Sequence, residues 1–313
     1  MKDVNRIKTF SFKLSLSIFL MSILMVSLFA CSIKEEAMSI IVPQGSPTLS
    51  VLGLDEDYYY INIVNGPDPL VAAFGSGSHD AIIAPTNLGA KFYQSSDEYL
   101  LLGVIGLGNY HLVSQSFTDE SFDQLSDQEI IVFGQNQTSD IIVRHLLEET
   151  GINATLSYVD SVASATATFL LDPSKIVLVA EPSLSLIKAQ IPNLITIDLN
   201  EVYQSYHEGL DFPQASLFVR KNTSDERKER LINDIMASVA FLHNEKDEAA
   251  QKGVDKGILS EIDILSQAID GSHISFILSM DAKPMIEVYF NLILAMNPNL
   301  IGGYIPNDDF YME

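Results

Sequence analysis

The chain has 313 residues, 18 of them basic and 41 acidic, for a net charge of −23. That excess of carboxylates repels phosphate backbones and anionic headgroups, which argues against nucleic acid or an anionic lipid surface as partners. A single cysteine excludes an internal disulfide, and a chain this long can build a core that holds without one.

Residues 1–30 open with Lys2, Arg6, Lys8 and Lys13 against Asp3, then run without charge from Leu14 to Ala30. A basic start, an apolar stretch and small residues at its end predict a secretory signal peptide. The run sits at the short limit of the ~17–25 residues of an uncleaved span, so its length alone leaves a retained anchor open. The lone cysteine, Cys31, follows at once; a buried structural thiol is the other reading of such a residue. Leu28-Phe29-Ala30-Cys31 resembles the lipobox of bacterial lipoproteins. That resemblance implies cleavage before Cys31, a diacylglycerol on its sulfur, and a chain anchored in the bilayer on the extracytoplasmic side of the cell membrane. Residues 31–37 then read as a tether.

From Met38 short β-rich runs alternate with turns and helical patterns. MSIIVPQG is a strand and turn, with Ser46 or Thr48 able to cap a helix. YYYINIVNGPDP repeats the unit, with Pro67 and Pro69 suited to a first helical turn. HDAIIAPTNLGAKFY repeats it again, and residues 100–114 form an apolar strand run broken by glycines. EIIVFGQNQTSDIIVRHLLEETG is a strand, a polar turn and a helix ended by Gly151. ATLSYVDS, KIVLVAEPSLSLIKAQ and ITIDL continue the alternation, and DFPQASLFVRKN is a strand. Residues 224–243, 245–252, 260–269 and 282–296 read as helices, DERKERLIND being a solvated face. Tyr58 to Tyr60 alternate as a strand partly open to solvent or to an aromatic ligand. GGYIPNDDFY is a tail with Phe310 and Tyr311 able to dock.

This alternation predicts parallel sheets covered by helices on both faces. Two such sets predict two α/β lobes, residues 38–111 with 216–313 and residues 112–215, crossing near Gly108–Leu112 and Phe212–Leu217. Ligands of open α/β sheets gather beyond the carboxyl ends of the strands. Here those ends read Gln44-Gly45-Ser46, Gly66-Pro67-Asp68, Pro85-Thr86-Asn87, Gln135 to Ser139 and Glu181-Pro182-Ser183. Small, amide-bearing and hydroxyl residues suit a small polar ligand, and they equally suit helix caps.

The stretches APTN, AEP and FPQASLFV, in this order and spacing, resemble substrate-binding lipoproteins of ABC importers over residues 38–305. The nearest group binds nitrate, sulfonate, taurine and thiamine precursors. The resemblance implies a periplasmic-binding-protein-like fold of type 2, two lobes with two hinge crossings, closing on a ligand. It implies a monomer that delivers a small molecule to permease and ATPase subunits. Carried over, it puts ligand contacts at Gln44, Gly45, Ser46, Gly66, Thr86, Asn87, Asn136, Thr138, Ser139, Glu181 and Gln214. The chain departs from sulfonate binders in having no Trp and no Lys or Arg in these loops, Arg144 lying a turn further in. Glu181 favours an amine-bearing ligand, or only pairs with its helix dipole.

Catalytic signals are sparse. Histidines 79, 111, 145, 207, 243 and 273 form no HExxH motif, and His79-Asp80 reads as a turn. There is no GxSxG elbow or P-loop, and FGSGS and IGLGN fall short of a dinucleotide fingerprint. The expectation is a binding protein without enzymatic activity, metal or cofactor. Menaquinone-pathway enzymes that resemble the same fold are one alternative, and a lipoprotein adhesin or sensor is another.

Overall fold

Runs of β-branched residues build two sheets in the computed structural model, which describes residues 36–312. The expectations for the signal peptide, Cys31 and most of the tether lie outside the described residues. Met38–Glu313 form one unit. The first sheet holds β1 (Met38–Pro43), β2 (Tyr59–Val64), β3 (Ala81–Pro85), β4 (Tyr99–Leu107), β10 (Pro213–Arg220) and β11 (Ile274–Leu278). Their order is β11-β4-β10-β3-β1-β2. The second sheet holds β5 (Tyr110–Val113), β6 (Glu129–Phe133), β7 (Thr155–Val159), β8 (Ile176–Ala180) and β9 (Thr196–Asp198), in the order β7-β6-β8-β5-β9.

Each sheet is mixed for the same reason. Strands β1, β2 and β3 run parallel, as do β6, β7 and β8. An antiparallel strand arriving from the other sheet is then inserted, β10 between β3 and β4, and β5 between β8 and β9. The chain passes between the sheets at residues 108–109 and again at 207–212. The apolar run at 100–114 is therefore two strands in two sheets, and β5 and β10 start a few residues before the expected boundaries. Gly108 makes the first passage possible, because a Cβ there would run into the Phe212 ring and Asn200 Oδ1.

The connecting helices are α1 (Ser46–Leu49), α2 (Asp68–Ser76), α3 (Thr86–Ser96), α4 (Thr138–Thr150), α5 (Val162–Leu171), α6 (Ser183–Gln190) and α7 (Leu199–Tyr206). After β10 come α8 (Asp225–Asn244), α9 (Lys246–Asp255), α10 (Ile262–Gly271) and α11 (Ser279–Met296). The expected helices of the last third are all present, and β11 between them is an addition. Its sequence ISFIL carries no turn residue to separate it from α11, and only pairing with β4 makes it a strand. Among the described residues no helix is long and apolar enough to cross a membrane.

Helix α8 buries Leu231 and Ile235 on the first sheet and turns its charged residues outward. Its polar edge closes over Tyr58 and Tyr59: the Arg230 guanidinium lies 3.3 Å from the Tyr58 ring centroid, and Tyr59 donates to Asp234 at 2.7 Å. Only Tyr60 of the three is exposed. The tail docks, with Phe310 buried beside Phe218 and Phe290 and Tyr311 bridged to Leu101.

Gly89 of α3 faces β10, and a Cβ there would overlap the ring of fully buried Phe218. Alanine in a helix interior usually gains up to ~1 kcal/mol over glycine, but overpacking a dense core costs ~1–3 kcal/mol. Gly89→Ala is therefore expected to lower stability by ~1–2 kcal/mol, read as a lower urea midpoint at constant slope. A raised midpoint would show that the ring yields freely.

Candidate functional site

Three strands end at one place: β1 at Pro43, β3 at Pro85 and β6 at Phe133. Because β6 belongs to the second sheet, this meeting point lies between the sheets, beyond the carboxyl ends of parallel strands. It encloses a cavity of about 90 Å³. Its apolar walls are Pro43, Pro47, Pro85, Tyr110, Phe133 and Ala215. Polar groups come from Gln137, Thr138 and Ser139 at the start of α4, and from Gln214 on the returning strand β10. None of these residues is charged. Ordinary ligand pockets are ~300–1,000 Å³, so the two sheets stand close together here.

Hydrogen bonds hold them so. The Ser46 hydroxyl donates across the cleft to the Glu181 carbonyl at 2.6 Å. Asn109 Nδ2, from the first passage between sheets, donates to Ser46 Oγ at 3.1 Å and to the Ser272 carbonyl at 3.3 Å. Gln214 clasps the two passages together, its Nε2 donating to Asn109 Oδ1 at 3.0 Å and its Oε1 accepting from the Asn109 N–H at 3.2 Å. Thr138 donates to Asn87 Oδ1 at 3.4 Å and accepts from the Tyr289 hydroxyl at 3.1 Å.

Of the residues expected at the ligand, Thr138, Ser139 and Gln214 line the cavity. Gln44, Gly45, Ser46, Thr86 and Asn87 sit just behind the prolines that do. Gln44 donates to the Gly257 carbonyl at 2.5 Å, Gly45 holds φ 113° ahead of α1, and the Thr86 hydroxyl is 2.7 Å from Ser216 Oγ. Gly66 is exposed, two residues past the end of β2, and is not among the residues that line the cavity. Asn136 is exposed, and its N–H is taken by Asp140 Oδ2 at 2.7 Å. Glu181 is buried and caps its own helix, accepting from the Ser185 N–H at 3.0 Å and its hydroxyl at 2.9 Å. Burial raises its carboxyl above the usual range, and the two Ser185 bonds oppose that shift.

Sequence reasoning missed the walls. The prolines at the ends of β1 and β3, and Tyr110 two residues after Gly108, were the available signals. Tyr110 is 6% exposed, stacks on Phe212 at 5.6 Å and meets Phe133 edge-on at 5.8 Å. Burial pushes its phenol far up, so it stays neutral. Ser139 spends its hydroxyl on the Phe133 carbonyl at 2.6 Å. In the first turn of α4, Asp140 is 1% exposed and pairs with Arg144 through two bonds of 2.9 Å. It also accepts from Tyr158 at 2.9 Å; burial, and then this bond, push that phenol up to about 12. Among the described residues no group of three or more His, Cys, Asp or Glu side chains is placed to hold a metal.

No curated protein matches the chain. Solved structures do. An ABC transporter from Parabacteroides distasonis superposes with a TM-score of 0.77 at 19% identity, covering 89% of this chain and 99% of its own. The ligand-binding component of an ABC-type import system from Staphylococcus aureus, with zinc bound, gives 0.67 at 16%, covering 89% and 97%. The periplasmic aliphatic sulphonate binding protein SsuA from Escherichia coli gives 0.65 at 12%, covering 86% and 95%. These likenesses establish the fold, a mixed α/β binding-protein fold of two sheets joined by two passages. A family model for menaquinone biosynthesis matches residues 60–284. It contradicts the expectation of a binding protein without enzymatic activity and falls on the menaquinone-pathway alternative; that expectation rested on the lipobox-like Cys31 and on the lack of local catalytic motifs, a signal blind to groups brought together by the fold. Since that match spans most of the chain and both sheets, the chain belongs to the menaquinone biosynthesis family.

Proposed function

We propose that this chain is an extracytoplasmic lipoprotein, anchored through Cys31, that captures a small molecule between its two sheets and delivers it to an ABC importer. The observation that carries the reading is the cavity at the ends of β1, β3 and β6, enclosed by neutral groups from both sheets. The fold likeness to import-system components supports it. The lobes of this reading are residues 38–111 with 216–313 and residues 112–215, and they part at the two passages to admit the ligand. Binding drives closure only through greater affinity for the closed form. Delivery to a permease and an ATPase, and action as a monomer, belong to the same reading.

The family match favours a second reading, in which the same cleft transforms its ligand. One experiment separates the two. A thermal-shift screen of small solutes should find a ligand that, at a hundred times its dissociation constant, stabilises by ~2.7 kcal/mol, or ~4–6 °C. Ala215→Leu, which fills the cavity, should abolish that shift. Ligand recovered by extraction at unchanged mass supports capture, and a changed mass supports turnover. A shift that survives Ala215→Leu would place the ligand elsewhere.

A further inference from the structure

We propose a second ligand site, independent of how the cleft is read: a pocket for a small alkyl diamine beside the two passages. A cavity of about 400 Å³ lies there, within the ~300–1,000 Å³ of ordinary ligand pockets. Leu107 at the end of β4, and Ile274 and Ser275 of β11, form its wall on the first sheet. Asp198 at the end of β9, three residues of α7 and Asp211 of the returning passage form the other wall. It shares no lining residue with the cleft cavity.

The charge of this pocket is one-sided. Asp198, Glu201 and Asp211 line it, and no Lys or Arg does. Asp211 Oδ1 is held by neutral donors only, Asn200 Nδ2 at 2.6 Å and Gln204 Nε2 at 2.9 Å. Asp198 Oδ1 caps α7, accepting from the N–H groups of Asn200 at 2.8 Å and Glu201 at 3.4 Å. None of the three carboxylates has an ion-pair partner among the described residues. The one base in the wall, His273, places its Nδ1 2.5 Å from the Gly108 carbonyl. The acidic balance of the whole chain draws cations towards such a place at long range.

Carboxylates alone describe any solvated acidic surface; orphaned polar atoms set this pocket apart. Asn200 is 4% exposed, stands in the wall with its Nδ2 on Asp211, and its Oδ1 has no partner among the described residues. On the other wall the buried Ser275 Oγ is unpartnered as well. Buried polar atoms are nearly always paired, and both of these oxygens accept hydrogen bonds. Acceptor oxygens backed by carboxylates call for donors that carry positive charge, and an ammonium brings three N–H groups. A bare divalent ion suits the place less. It needs several oxygens converging on one point, and among the described residues no three acidic or histidine side chains are so placed. Two ammonium groups on a short apolar chain answer three carboxylates better than one. Bound there, the diamine touches both sheets and holds them at their present spacing.

Titration calorimetry of the full chain with 1,4-diaminobutane and with 1,4-butanediol, its uncharged counterpart, at one fixed ionic strength tests the proposal. The diamine is expected to bind one to one and at least ~10-fold more tightly than the diol. Glu201→Gln and Asp211→Asn keep the shape and should each weaken it at least ~5-fold. Glu120→Gln, at an exposed carboxylate outside the cavity, should leave it within ~2-fold. No saturable binding of the diamine, or equal binding of the diol, overturns the site. A loss in Glu120→Gln as large as that in Glu201→Gln also overturns it, because the attraction is then spread over the acidic surface. Glu201 is exposed, so its variant reads the site even where Asp211→Asn does not fold.

Discussion

Phe212→Ala should cost ~3–5 kcal/mol, the range for deleting a large buried aromatic side chain. Phe212 is 0% exposed and lies on the returning passage between the sheets. It stacks on Tyr110 with 26° between the rings, meets Tyr203 edge-on at 5.3 Å, and fills the space that Gly108 leaves open. These contacts tie the returning passage to the first passage, to β5 and to α7, so no neighbour can collapse into the hole without moving an element. Tyr110 is also a wall of the cavity, and its lost support should weaken ligand binding beyond the loss of stability. Phe212→Leu keeps most of the volume and should cost under ~1.5 kcal/mol. Tyr304→Ala, at an aromatic residue 58% exposed, should stay within ~0.5 kcal/mol. Urea midpoints at constant slope read all three. A cost for Phe212→Ala no larger than that for Tyr304→Ala would mean that the passages are not held by this ring.

Local periodicity carried most of the fold. Short β-rich runs such as MSIIVP and EIIVF, each followed by a turn and a helix, leave few arrangements other than parallel sheets, and the strand ends near Pro43, Pro85 and Phe133 follow from that. The second sheet of each expected lobe boundary was legible only roughly, because glycine-broken apolar runs do not say which sheet they join. β11 was hidden, since an edge strand next to a helix shares its apolar composition. The site was half legible. Hydroxyl and amide residues do cluster at the strand ends, but whether they face a ligand or a neighbour depends on partners far away in the chain. Thr86 finds Ser216, Ser46 finds Glu181 and Asn87 finds Thr138. The cavity is left to prolines and aromatics, which local reading assigns to turns and core.

Acidification should loosen this protein through histidines that local spacing gave no reason to pair. His145 on α4 and His207 just after α7 meet Nε2 to Nε2 at 2.7 Å, so one ring donates its N–H to the lone pair of the other. Tyr203 closes over both rings, and His145 is 7% exposed. Burial and then the neighbouring ring push His145 down to about 4, and burial likewise lowers His207. His111 in β5, with its Nδ1 unpartnered, is pushed to about 4, chiefly by burial and against the pull of Asp198. The unfolded chain takes up these protons near pH ~6.5. The stabilisation is therefore complete above that value, falls as the pH drops from 6.5 towards 4, and changes little below. Each histidine shifted this far contributes at most ~1.4 kcal/mol per pH unit, or roughly 3 kcal/mol across the window. Glu181 works the other way, since its raised carboxyl binds a proton in the native state first. Relief of repulsion among the many carboxylates also opposes the loss. The total slope thus mixes signs, and the comparison that isolates His145 is with His145→Gln. Urea midpoints at pH 7.5, 6 and 5 should fall more steeply for wild type than for the variant. Parallel curves would show that the proton on His145 is not what the fold resists.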